Sequence, residues 1–139
     1  MYASRTKVDS NHTRSEIERL LLKRGASGFI FGQSGDSAML VFELQDFRMK
    51  FIMPLPVQKR GVSEQQVKQQ TKSRWRALLL VLKAKLEAVE SGIVTLQEEF
   101  LAHIVVQGNA TVGERVIPNL GSSILDGKLP PLLTAGSGQ

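Results

Sequence analysis

The stretch TKSRWRALLLVLKAKLEAVESG, from Thr71 to Gly92, decides the fold of this chain. Its apolar residues recur every three or four positions, which is the spacing of one face of an α-helix. That face carries Trp75, Leu78, Leu79, Leu82, Leu86 and Val89. Upstream, Ser63 and Gln66 have the spacing of a capping box, and Gly92 is placed to end the helix. The pattern predicts a long amphipathic helix over residues 64–91.

Before this helix the hydrophobic period changes to two, which is typical of β-strands. Phe29 and Phe31 alternate with Ile30, and a turn follows at residues 34–36. Two further alternating sets are Ala38, Leu40, Phe42 and Leu44, then Phe47, Met49, Phe51 and Met53. Pro54 ends the last strand because it cannot donate to a β-ladder. The pattern predicts a three-stranded antiparallel meander.

Shorter helices are predicted on both sides of these elements. Three pairs have capping-box spacing, namely Thr13 with Glu16, Thr95 with Glu98, and Thr111 with Glu114. Gly25 is placed to end the first helix, and Pro118 predicts a break in the last. The expected class is α+β: an N-terminal helix, a three-stranded antiparallel β-meander, a long amphipathic helix and two short C-terminal helices. Residues 13–133 form one domain between a flexible arm at 1–12 and a flexible tail at 134–139.

Composition narrows the classes of function. The 139 residues carry a formal net charge of +5 and include no cysteine. Disulfides and thiolate metal sites are therefore excluded, and the excess of cations favours anionic partners. The first twelve residues lack an apolar run, and no segment is apolar over a membrane's thickness. We expect a cytoplasmic protein with no membrane partner and no cofactor.

The strongest candidate site is a basic stripe on the long helix. Its members recur at spacings of four and seven residues, which places them on one helix face: Lys68, Lys72, Arg76 and Lys83. Arg74 lies on a neighbouring face, Lys59 and Arg60 precede the helix, and Arg48 and Lys50 belong to the sheet. Together these nine cations predict an anion-binding surface, because phosphate backbones are bound by several spaced cations. Arg5 and Lys7 of the N-terminal arm could add contacts.

Two structural alternatives stay open at this stage. The stripe can be an ordinary solvated helix face with Trp75 in the core. The face of the sheet opposite the phenylalanine side chains, called here the second sheet face, is unusually mixed. It carries Ile30, Met39, Val41, Glu43, Arg48, Lys50 and Ile52. Its apolar content predicts a cover, either by another helix or by a second subunit, so we expect a homo-oligomer.

Catalytic and metal-binding patterns are weak. Glu99 and His103 lie four residues apart, but two ligands are too few for a metal site, and the only other histidine is His12. The glycine pairs near residues 25–28 and 32–35 precede strands and turns and lack a phosphate loop's lysine. The sequence predicts a protein that is not an enzyme and holds no metal.

Several segments resemble a group of small, functionally unassigned bacteriophage-encoded proteins. They are RWRAL from Arg74, KAKLEAVESGI from Lys83, EEFLAHI from Glu98, FIMPLP from Phe51 to Pro56, and TVGE from Thr111. The resemblance implies a phage or prophage origin and a place in the host-cell cytoplasm, but no activity. Our leading hypothesis is a non-enzymatic nucleic-acid-binding protein. The alternative is an inhibitor of host defence that binds a host protein or a small phosphorylated ligand, and the third is a virion or assembly component.

Overall fold

The computed structural model describes the backbone of residues 2–123 and 131–132 and the side chains of residues 11–121 and 131–132. The elements, in chain order, are helix α1 (Tyr2–Lys23), strands β1 (Gly28–Ser34), β2 (Ser37–Leu44) and β3 (Phe47–Pro54), and helices α2 (Glu64–Glu90), α3 (Leu96–Phe100), α4 (Val112–Val116) and α5 (Leu120–Ser123). This order confirms the predicted α+β class. No helix in the described ranges is both long and apolar enough to cross a membrane.

The three strands form one antiparallel sheet in the order β1-β2-β3, as predicted. The hairpin between β2 and β3 closes through Gln45 and Asp46, which both have positive φ, at 50° and 68°. Two such residues suit the right-handed twist of paired strands, so the tight turn fixes the register. That register places Phe42 opposite Met49 and Leu40 opposite Phe51, with all four side chains facing the helices.

The core lies between the sheet and the helices. Trp75, Leu79, Leu82 and Leu86 of α2 are buried against the strands, and the Trp75 ring meets the Phe31 ring edge-on at 5.8 Å. Three phenylalanine rings continue this core beneath α3: Phe42 and Phe51 stack at 6.2 Å, and Phe100 meets both edge-on. The apolar side chains that recur along α2 and those that alternate along the strands therefore pack into one shared apolar layer.

Helix α1 begins earlier than the sequence pattern indicated. It includes Tyr2, so the predicted start at Thr13 is wrong. Thr13 is buried inside the helix instead of capping its end. Ile17 and Leu21 lie in the core, one and two turns after Thr13, so the helix is held by packing along this face. The flexibility predicted for residues 1–12 stays a prediction, and the tail at 134–139 lies outside the described residues.

The other predicted helix boundaries agree with the structure. Ser63, Thr95 and Thr111 each accept a hydrogen bond from the backbone of the third following residue, whose side chain bonds back to the cap. A 3₁₀ turn at Ile117–Asn119 interrupts the last helical segment at Pro118, as predicted. The caps satisfy backbone donors at helix starts and so fix where α2, α3 and α4 leave the loops.

The second sheet face is only partly covered. At its β3 side the Lys50 side chain donates to the Asn109 carbonyl oxygen at 2.7 Å, which ties the loop before α4 to the sheet. A cavity of about 360 Å³ separates Ile52 from α4. Ile30 and Ile52 keep 65% and 56% of their surface exposed. Within the described residues, the predicted covering helix therefore does not shield Ile30 or Ile52 from solvent.

Because α2 buries one face only, two neighbouring leucines should differ sharply in their contribution to stability. Leu82 has no exposed surface, whereas Leu80 is 54% exposed. We expect Leu82→Ala to lower the free energy of unfolding by about 2–5 kcal/mol, since it leaves a cavity. The matched variant Leu80→Ala should change it by roughly 0.5 kcal/mol or less. Urea denaturation of both variants measures the difference, and equal losses would contradict the assignment of the buried face.

Candidate nucleic-acid interface

Helices α1 and α2 lie side by side and run in the same direction. The Arg76 guanidinium, near the middle of α2, lies 3.3 Å from the carboxylate of Glu16, which is in the second half of α1. Near their C-terminal ends Arg24 pairs with Glu90 and, at 3.4 Å, with Glu87. The pairs join residues about sixty positions apart in the sequence, so the meander between the helices returns α2 to the flank of α1.

A groove opens between the middle turns of these helices, and it is called here the α1–α2 groove. It encloses about 670 Å³. Its walls are His12 and Thr13 from α1, and Gln69, Lys72, Ser73, Arg76, Ala77 and Leu80 from α2. The α2 wall of this open depression therefore combines two cations and two neutral polar side chains with the apolar Ala77 and Leu80, and the helix backbone supplies a rigid frame.

Two residues of the predicted basic stripe meet in this groove. Lys72 and Arg76 are one helical turn apart and both project into it. Glu16 is the acidic counterpart at the groove's edge, since its carboxylate lies 3.3 Å from Arg76 and 3.4 Å from the His12 Nε2. Glu16 therefore occupies the position beside Arg76 that another anionic group would take.

The rest of the stripe continues along α2. Lys83 is exposed and lies seven residues after Arg76, which puts it on the same helix face. Lys68 lies one turn before Lys72, and its ammonium group is 3.7 Å from Glu64. The stripe therefore runs past both ends of the groove.

Arg74, Lys59 and Arg60 lie outside the groove. Arg74 is exposed on another flank of α2, and Lys59 and Arg60 are exposed in the loop before Ser63. Lys85 shares the flank of Arg74, but its ammonium group is 3.0 Å from Glu99 of α3. This flank therefore faces α3 and not α1.

Arg48 and Lys50 do not join the α2 cations, because they lie on the second sheet face. Arg48 donates from Nε to Glu43 at 2.9 Å. The Lys50 side chain is only 10% exposed, and besides its bond to Asn109 it lies 4.0 Å from Glu114. The hypothesis of one surface built from all nine cations is therefore corrected: the sheet separates these two residues from the other seven.

Trp75 is not available for stacking on a base. Only 2% of its surface is exposed, and the Arg14 guanidinium lies over its ring, 5.3 Å from the ring centre. This confirms the alternative in which Trp75 belongs to the core. It does not bear on the function of the neighbouring cations. Any nucleic-acid contact along α2 must therefore depend on charge and hydrogen bonding.

Residues 99 and 103 form no metal site. Glu99 pairs with Lys85, whereas the His103 ring stacks on Phe51 with centres 3.9 Å apart. The His103 Nδ1 lies 3.3 Å from the Lys50 carbonyl oxygen, so the proton belongs on Nδ1. Among the described residues no three histidine, aspartate or glutamate side chains gather closely enough to hold a metal ion.

Sequence reasoning missed the α1 side of the groove. The sequence pattern places His12 in the N-terminal arm and Thr13 and Glu16 in a helix cap, and nothing in the chain from residue 1 to 12 has an apolar period. The available signal was the spacing of Thr13, Ile17 and Leu21, which continues one helix face through the supposed cap. Arg5 and Lys7 belong to the part of α1 whose side chains are outside the described set.

Comparison of the chain with protein-family models, with curated proteins and with solved structures finds no match.

The environment of His103 predicts a pH-dependent stability. Burial lowers the pKa of His103 below its usual 6.5, the hydrogen bond to the Lys50 carbonyl opposes this, and the charge of Lys85 lowers the pKa further. Between the lowered pKa and about 6.5 the unfolded chain binds more protons than the folded chain, so stability rises with pH across that window. His103→Gln should flatten this rise. Urea denaturation of both proteins between about pH 5 and pH 7 tests it, and equal slopes would contradict the prediction.

Proposed function

We propose that this protein binds nucleic acid through its phosphate backbone, with the α1–α2 groove as the binding site. The observation that carries the proposal is the convergence of Lys72 and Arg76 in one open groove, on a chain with a net charge of +5. Gln69 and Ser73 of the same wall add neutral donors. Spaced cations and polar donors on a rigid element are what a phosphate backbone needs.

The pair between Arg76 and Glu16 supports the site's ability to take an anion. The Arg76 side chain is more than half exposed, and such ion pairs contribute about 0–1 kcal/mol. A phosphate oxygen can therefore replace the Glu16 carboxylate beside Arg76 at little cost. In this proposal Glu16 holds the arginine in place in the free protein and competes with the ligand.

The stripe beyond the groove extends the contact along the strand. Lys83 follows Arg76 on the same face, and Lys68 precedes Lys72 by one turn. Lys59, Arg60 and Arg74 act at longer range, by raising the positive potential that attracts a polyanion. Because Trp75 is buried, the contact reads the backbone and not the bases. We propose no catalytic step and no cofactor.

A second candidate function is protein binding through the second sheet face. The exposed Ile30 and Ile52 on that face favour it, because an apolar patch beside paired charges is typical of an interaction surface. In this version the protein is an inhibitor of host defence. The sequence resemblance supports a phage origin for either function, and we propose action in the host-cell cytoplasm.

The nucleic-acid proposal predicts a selective loss in a groove variant. Lys72→Ala with Arg76→Ala should weaken binding to a labelled single-stranded oligonucleotide and a duplex alike, on the order of tenfold or more at low salt. The slope of log affinity against log salt should become shallower, by roughly 1.8 for the duplex, because two phosphate contacts are lost. Fluorescence anisotropy over a salt series measures both quantities.

Two controls sharpen that experiment. Arg48→Gln with Arg115→Gln removes the same net charge elsewhere, from side chains that bond to Glu43 and to the Gln107 carbonyl, and should leave affinity nearly unchanged. Glu16→Gln should tighten binding, because it removes the competing carboxylate beside Arg76. Equal losses in the two double variants, or weaker binding by Glu16→Gln, would overturn the groove as the site.

A further inference from the structure

We infer that strand β1 is a self-association edge, at which two copies of this chain pair β1 against β1 in antiparallel orientation to make one six-stranded sheet. This inference is independent of the proposed nucleic-acid function. It names the partner, a second copy, and the register of the contact. Its basis is the contrast between the two edges of the sheet.

The β3 edge is protected against pairing. The Val105 N–H donates to the Arg48 carbonyl oxygen at 2.7 Å, Met49 forms a bridge with Ile104, and the Lys50 carbonyl faces the His103 ring. The strand also carries two cations and ends at Pro54. Charged residues, proline and a covering segment are the devices by which proteins block sheet edges.

Among the described residues, the β1 edge has none of these devices. Its sequence, GFIFGQS, contains no charged residue and no proline. Within the described part of the chain, no backbone hydrogen bond connects the strand to any element other than β2. An edge of this kind exposes a row of unpaired donors and acceptors, which a further strand can satisfy.

The register of the sheet tells which groups point outward. The two-residue hairpin between Ser34 and Ser37 makes these residues a hydrogen-bonded pair, and such pairs alternate along an antiparallel ladder. Gly28, Ile30, Gly32 and Ser34 therefore bond to β2. Phe29, Phe31 and Gln33 direct their N–H and C=O groups away from the sheet.

Those outward groups are self-complementary about Phe31. In a two-fold pair centred there, Phe31 bonds to its own copy and Phe29 bonds to Gln33 of the second copy, so every outward group of these three residues is satisfied. Such an interface is closed, because each copy uses the same surface. The absence of charge matters here, since a charged residue at position 31 would lie directly opposite its own symmetry copy.

Side chains also fit this register. Ile30 of one copy lies opposite Gly32 of the other, in a non-hydrogen-bonded pair whose Cα atoms approach to about 4.5 Å. Gly32 has no side chain, and Met39 lies beside the space that a Cβ would take. The exposed Ile30 would therefore pack over Gly32 and Met39 of the second copy. Both copies keep their helices on the same side of the joined sheet.

The first test is the mass of the protein by light scattering after size exclusion, over a dilution series. We expect wild type to have twice the mass of one chain. Gln33→Pro should be monomeric, because it removes an outward N–H without touching the bonds to β2. Gln33→Ala keeps that N–H and should remain dimeric. If the circular-dichroism spectrum shows that Gln33→Pro is unfolded, the mass of Ile30→Lys tests the dimer instead, since this substitution changes only an exposed side chain and should also give a monomer.

The second test addresses the register. The chain has no cysteine, so single cysteines report one contact. An oxidised mixture of Ile30→Cys and Gly32→Cys proteins should form the mixed covalent dimer in preference to dimers of either variant alone, because only the mixed pair is directly opposite. A monomeric wild type, a dimer that survives both Gln33→Pro and Ile30→Lys, or no preference for the mixed cross-link would overturn the inference.

Discussion

The contact between α2 and the phenylalanine-bearing side of the sheet is the constraint on which the rest of the structure depends. Trp75, Leu79 and Leu82 bury their side chains there, and burial of apolar surface is the dominant favourable term in folding. Once this face of α2 is buried, the helix geometry fixes the direction in which every other side chain of α2 points. The cations of the basic stripe are thereby forced onto the flank beside the core.

That flank is where α1 packs, and the groove follows from it. Ile17 and Leu21 of α1 share the core with α2, so the two helices must lie alongside each other. Their facing flanks carry polar and charged side chains beside the apolar Ala77 and Leu80. The helices meet there through ion pairs and leave an open depression between their middle turns. The proposed phosphate site thus arises because the two helices share one apolar core, while the flanks that face each other outside this core carry polar and charged side chains.

Much of this fold could be predicted because its signals are local. The alternation in β2, the apolar period of α2 and the caps at Ser63, Thr95 and Thr111 each depend on residues a few positions apart. The partners of the cations could not be predicted, because they come from distant sequence. Arg76 pairs with Glu16 and Lys50 with Asn109, and no local pattern encodes either contact. The start of α1 was missed because its first half has no apolar period.

The most direct test of the central claim is an amide chemical-shift map of nitrogen-15-labelled protein titrated with a single-stranded oligonucleotide. The account predicts that the largest changes fall at residues 12–16 and 69–80, on the two walls of the α1–α2 groove, and that added salt reverses them. Residues 48–52 of β3 and residues 105–115, which lie away from the groove, should keep their shifts. Changes confined to those two segments, or no changes at low salt, would contradict the proposed function.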